Sequence, residues 1–219
     1  MTMKNILAVF SAALLSSFEP VSGNGGVHDG SDGASGNGYR EILRMQESGM
    51  HSRSRLLLKD IARKSGKSSP EGYAVLSEVS MGLPGYEERM DAFISEHPYS
   101  VLVPQMRYLH ALNLFDSQDY KGAGELLETV PASCIGRSRL DEYLFKKAYC
   151  DLESGELDRA LLRFAEIDRR PLSDFTAPAR YGAAYINYGK KNFREALEWF
   201  GKSVSDARFR DISNYYIME

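Results

Sequence analysis

Acid–base or metal chemistry would need histidine, cysteine or carboxylate side chains at short, fixed spacings. The 219-residue chain has four histidines and two cysteines. His28 lies in a glycine-rich tract, His51 in a basic stretch, His97 immediately before Pro98, and His110 beside Ala111. None stands at the H-E-x-x-H spacing that puts two imidazoles on one helix face around a metal. Asp29 and Asp32 offer two carboxylates, short of the roughly six to eight oxygens that calcium takes. Neither a G-x-x-x-x-G-K-[ST] phosphate loop nor a G-x-S-x-G nucleophile elbow occurs. The expectation is a chain with no catalytic, cofactor-binding or metal-binding residues. Cys134 and Cys150 are too few for a disulfide framework. An oxidising compartment would permit a bond between them, but Cys150 reads as a small buried residue on a helix.

The composition is that of a globular protein, 43% hydrophobic and 26% charged, with a net charge of −3. No overall basic field points to nucleic acid. No apolar run reaches the roughly 20 residues that cross a bilayer as a helix. The start of the chain is distinctive. Lys4 precedes the uncharged run Ile6 to Leu15, and small residues follow to Gly23. This is the pattern of a secretory signal peptide, assigned to residues 1–23 with cleavage near Gly23. Residues 24–38, rich in glycine, serine and aspartate, read as a disordered linker. The run His51 to Lys67 carries Arg53, Arg55, Lys59, Arg63, Lys64 and Lys67 around Leu56, Leu57, Leu58 and Ile61. It reads as a surface helix with a solvated basic face.

From Tyr39 onward the spacing is helical and strands are not indicated. Ser69-Pro70-Glu71 forms a helix start, and Asp119 and Asn192 stand at N-cap positions. One pattern recurs. Tyr120, Ala123 and Leu127 repeat as Leu157, Ala160 and Phe164, and again as Phe193, Ala196 and Phe200. The alanines lie 37 and 36 residues apart, and each has another alanine twelve places upstream: Ala111, Ala148 and Ala184. Large side chains at these paired sites would force two crossing helices apart. Weaker copies are centred on Arg89 and Ser54.

A helix–turn–helix unit with a period near 34 residues is the tetratricopeptide signature. The stretch from about Met50 to Ser203 resembles a tetratricopeptide repeat protein, best in "YKGAGELL", "LDRALLRF" and "FREALEWF". It departs from that family at the early tryptophan, replaced here by Arg107, Leu144 and Arg180, and at the first-helix glycine, replaced by alanine. The whole is similar to exported tetratricopeptide proteins of Gram-negative bacteria. The resemblance implies an all-α, right-handed α-solenoid of about five helical hairpins over residues 39–209. Residues 210–219 would then be the first helix of a further, truncated repeat. It also implies a non-enzymatic scaffold in the periplasm or cell envelope that binds a protein or peptide in a concave groove. The groove would be lined by Tyr108, Leu112, Phe145, Tyr149, Tyr181 and Tyr185, with Arg107 and Arg180 available to acidic groups. The alternative is a structural module that presents or dimerises a missing C-terminal region, with a homodimer formed through the exposed C-terminal helix.

Overall fold

The computed structural model describes Arg53 and residues 69–219. The signal-peptide and linker assignments, the basic run apart from Arg53, and the repeat around Ser54 lie outside the described residues. Within them the helices are α1 (Ser69–Ser80), α2 (Tyr86–Glu96), α3 (Val103–Asp116), α4 (Tyr120–Glu128), α5 (Leu140–Glu153), α6 (Leu157–Asp168), α7 (Thr176–Gly189), α8 (Phe193–Ser203) and α9 (Arg210–Met218). Short 3₁₀ turns at Ala132–Cys134 and Arg137–Arg139 precede α5. No strand occurs among the described residues, and the fold is all-α, of the α-solenoid class. The chain divides into two compact units at Cys134/Ile135. The first holds α1–α4 and the second α5–α9.

Each second helix forms because its apolar residues recur every three or four positions. In α6, Ala160, Phe164 and Ile167 are buried; in α8, Ala196, Phe200 and Ser203. First helices are less one-sided, because they are covered on more than one flank. α7 buries ten of its 14 residues, including Ala179, Tyr181, Gly182 and Ala183. Ala111, Ala123, Ala148, Ala160 and Ala184 are fully buried, and Ala196 is nearly so. Small residues at these places match the expectation of close helix crossings. At Gly182 even alanine is too large: an added Cβ would meet the Phe164 ring at 2.7 Å.

Three of the hairpin turns are the same object. Ser117-Gln118-Asp119, Ser154-Gly155-Glu156 and Lys190-Lys191-Asn192 each put their middle residue in the left-handed region, at φ 67°, 79° and 62°. In each, the third residue's N–H reaches back five residues: Asp119 to Leu114, Glu156 to Asp151, Asn192 to Asn187, at 2.8–2.9 Å. The middle N–H reaches back three, to Phe115, Leu152 and Tyr188. This Schellman pattern satisfies carbonyls that the ending helix leaves unpaired. The N–H of each recurring alanine then closes the next helix on the turn: Ala123 on Asp119, Ala160 on Glu156, Ala196 on Asn192. Asp119 also caps with its side chain, accepting from Gly122 N–H at 2.9 Å. Asn192 occupies the N-cap position without a side-chain cap; its amide donates to the Asn187 side chain instead.

The copy around Arg89 is a correction. Arg89 is exposed and paired with Glu78, while Met90, one residue on, takes the buried place between Tyr86 and Phe93. The longer turn from Met81 to Gly85 shifts the register. An arginine could not enter a core crossing without leaving its charge unpaired.

Two predictions follow from the turn and crossing geometry. Gln118→Gly and Lys191→Gly should each stabilise the protein by roughly 0.5–1 kcal/mol in urea unfolding, because glycine alone enters the left-handed region without steric cost. Gly155→Ala should have the opposite sign. Ala160→Leu should cost about 1–3 kcal/mol by overpacking. Leu162→Ala, on the exposed side of the same helix, should change the unfolding midpoint little.

Candidate interaction surface

The centre of the second unit is a cluster of three rings, written twice. Phe145 of α5 packs against Phe164 of α6 at 5.7 Å and against Phe175 at 5.6 Å. Tyr181 of α7 packs against Phe200 of α8 at 5.8 Å and against Phe209 at 5.3 Å. Phe175 and Phe209 occupy the N-cap positions of α7 and α9. Each hairpin's aromatic pair is thus closed by a ring from the connector that follows it.

This arrangement corrects the predicted groove. Phe145 and Tyr181 are interior residues, and Tyr149 and Tyr108 are also buried. They cannot form a solvent-facing ribbon, because the connector phenylalanines roof Phe145 and Tyr181, and burying rings is where aromatic side chains contribute most. Burial pushes the Tyr181 hydroxyl well above the ordinary phenol range, with Tyr216 and Tyr185 adding to the shift. Leu112, Tyr185 and Arg107 are half-buried. Arg180 is not held out for a partner. It donates to Asp168 at 2.6 Å, and Lys202 reaches the other Asp168 oxygen at 2.9 Å. The connector rings were missed although both stand one residue before a helix, at repeat-equivalent places 34 apart.

Several titratable groups are tied into packing. His110 Nδ1 shares a 2.7 Å hydrogen bond with the Tyr86 hydroxyl, and the His97 ring lies 4.9 Å from that of Phe93. Asp151, buried on α5, accepts from Arg159 at 2.8 Å and from Arg163. Burial opposes ionisation of Asp168, but the bonds from Lys202 and Arg180 outweigh it and hold the carboxyl below its usual range. Burial pushes the Cys150 thiol up to about 12, so it is inert. Cys150 and the exposed Cys134 are both free. No group of three or more His, Cys, Asp or Glu able to hold a metal occurs among the described residues. No described helix is long and apolar enough to cross a membrane.

Apart from Leu162 and Leu172, the large apolar side chains of the second unit that reach solvent lie on α8 and α9. Phe193 and Leu197 of α8 and Tyr215, Ile217 and Met218 of α9 are all exposed, Met218 at 81%. Tyr216, stacked on Phe200 at 5.0 Å, joins them to α7: it meets Tyr188 at 5.1 Å, Tyr215 at 5.4 Å and Tyr185 at 6.4 Å. Tyr188 in turn meets Phe193 at 5.9 Å. Half-buried Tyr185 and Tyr188 therefore continue into the exposed α8–α9 face.

Paired helices with buried alanines, joined by identical turns every 36 or 37 residues, decide the architecture. The fold is of the tetratricopeptide type. Among solved structures, a mutant of MamA aligns at a TM-score of 0.55 and 17% identity, covering 77% of this chain and 95% of that one. MamA AMB-1 aligns at 0.54 and 16%, covering 78% and 98%. TTC0263, a thermophilic TPR protein of Thermus thermophilus, aligns more loosely, at 0.42 and 14% identity over 85% of this chain. No protein-family model matches the chain, and no curated protein matches it significantly. At these identities the likeness concerns the tetratricopeptide fold.

The Asp168 ties predict a pH dependence. Because this carboxyl ionises below its unfolded value of about 3.9, its pairing stabilises the fold above about pH 4. That contribution is lost as pH falls through the lower folded value. In Asp168→Asn the acid-induced drop in melting temperature should be shallower than in the wild type. Asp206, held low by its bond from Arg208, still contributes a drop in both proteins.

Proposed function

We propose that the chain is a non-enzymatic protein-interaction scaffold, exported to the periplasm or cell envelope of a Gram-negative bacterium, that binds a partner protein or peptide. The observation that carries this reading is the contrast within the second unit. Its buried carboxylates Asp151 and Asp168 are spent on pairs that hold helices together, while a joined set of rings on α7, α8 and α9 reaches solvent beside the exposed Leu197, Ile217 and Met218. Contiguous exposed apolar surface rimmed by polar residues marks interaction sites. Tyrosine suits such a surface, offering an apolar body and a polar tip. Of the predicted groove residues, Tyr185 is the one that adjoins this face. The export assignment rests on Lys4, the run Ile6 to Leu15 and the small residues up to Gly23.

Crosslinking in the native envelope tests the reading. Tyr185→Ala combined with Leu197→Asp should remove the specific crosslinked partner while leaving the circular dichroism spectrum unchanged. An identical set of partners would sink it. The same preparation tests export: the mature chain should begin near residue 24.

A second reading, a module that dimerises through its C-terminal helix, is favoured by one observation. Tyr215, Ile217 and Met218 occupy one short helix and are all exposed. Under this reading the sedimentation mass should rise with concentration, and Met218→Asp should abolish the rise. A constant monomer mass excludes it.

A further inference from the structure

The stretch from residue 69 to 134, which holds α1–α4, is chemically unlike the second unit. Between residues 69 and 134, ten Asp and Glu side chains accompany three Lys and Arg, a net of −7; between 135 and 219 the numbers are fourteen and fifteen. Of the three cations between residues 69 and 134, Arg89 is already paired with Glu78. In this acidic setting the connector between α2 and α3 walls an open pocket of about 520 Å³, lined among others by Tyr73, Phe93, Tyr99, Val101, Leu102 and Glu96. Its floor is packed closely: a Cβ on Gly72 would meet the Phe93 ring at 2.7 Å and Leu102 at 2.8 Å. Its rim is exposed, with Tyr99 at 98% and Val101 at 82%.

That exposure belongs to a built turn. Ser100 N–H bonds to the His97 carbonyl at 3.0 Å, Val103 N–H to the Ser100 carbonyl at 3.1 Å, and the Ser100 hydroxyl accepts from Leu102 N–H at 3.3 Å. Pro98 fixes the backbone just before. A hydrogen-bonded turn thus holds an aromatic ring and a branched aliphatic side chain out in water beside a carboxylate. Among the described residues, no lysine or arginine lines the pocket.

We propose that this pocket receives a basic, apolar peptide segment of a partner protein, an apolar side chain seating on Phe93 and Leu102 and a Lys or Arg head lying against Tyr99 and Glu96. Three physical terms converge. Apolar contact supplies affinity. A cation over a tyrosine face is attracted by the ring quadrupole. The acidic stretch 69–134 steers a basic segment toward it and rejects an acidic one. This surface lies in the first unit and goes beyond the reading based on α8 and α9. The chain's own stretch His51 to Lys67 shares the required chemistry, so the experiment must separate it from a partner.

Fluorescence anisotropy on the full chain decides the matter, with a labelled peptide of alternating leucine and arginine and its leucine–glutamate counterpart. The arginine peptide should bind and the glutamate peptide should not. Added salt should weaken binding by screening. Tyr99→Ser should weaken it about tenfold, as loss of an aromatic anchor does, and Glu96→Gln about two- to fivefold, as for an exposed charge pair. Equal binding of both peptides overturns the proposal, as does unchanged affinity in both variants. So does a tenfold or greater gain when Arg53, Arg55, Lys59 and Arg63 are replaced by serine, since the pocket would then belong to the chain's own basic stretch. Any of these failures leaves the crosslinking result on Tyr185 and Leu197 standing.

Discussion

The second unit depends on the contact between two rings of one hairpin and a third from the connector beyond it. Phe145, Phe164 and Phe175 make it once, and Tyr181, Phe200 and Phe209 again. A helical hairpin has one broad apolar face and cannot bury it alone. The connector ring closes part of that face before the next helix begins and sets where that helix starts. The small residues follow from the same demand. Rings this large can nest only if the helices carrying them come close, which alanine at the crossings and Gly182 under Phe164 permit.

Polar groups reinforce what the rings place. Asp151 ties α5 to α6 through Arg159 and Arg163, and Asp168 ties α6 to both α7 and α8 through Arg180 and Lys202. Asp141 on α5 accepts from Arg170, just beyond α6. Each carboxylate is largely buried and meets a guanidinium whose stem packs while its head reaches the acid. Such pairs add little net stability over an apolar contact, but an unpaired partner would be costly, so they penalise any slip of one hairpin against the next. The same economy accounts for His110, which completes a hydrogen bond with Tyr86.

Much of this architecture was legible in the residues. The recurrence of Ala123, Ala160 and Ala196 locates the second helices, and the alanines twelve places earlier locate the crossings, because packing there tolerates only small side chains. The turns were half legible. Gly155 announces a left-handed residue, but Gln118 and Lys191 hide the same conformation, since a Schellman turn can force it on an ordinary residue at modest cost. The exposed surface was least legible. Spacing puts Phe145, Tyr149, Tyr181 and Tyr185 on shared helix faces but cannot say what lies above a face. That depended on Phe175 and Phe209, which look like loop residues in the sequence. Arg180 was misjudged for a similar reason: its partner, Asp168, is in the preceding helix of another hairpin.

The connector rings also bear on where this chain could be cut or joined. Severing it after Ser203 would leave Tyr181 and Phe200 without Phe209, so a fragment of whole hairpins is not a self-sufficient piece. The smallest portable module is a hairpin together with the aromatic residue that opens its successor. A graft, fusion or shortened array that respects that offset boundary keeps its last ring cluster whole. One trimmed neatly at the end of a second helix exposes a raw aromatic face and invites aggregation.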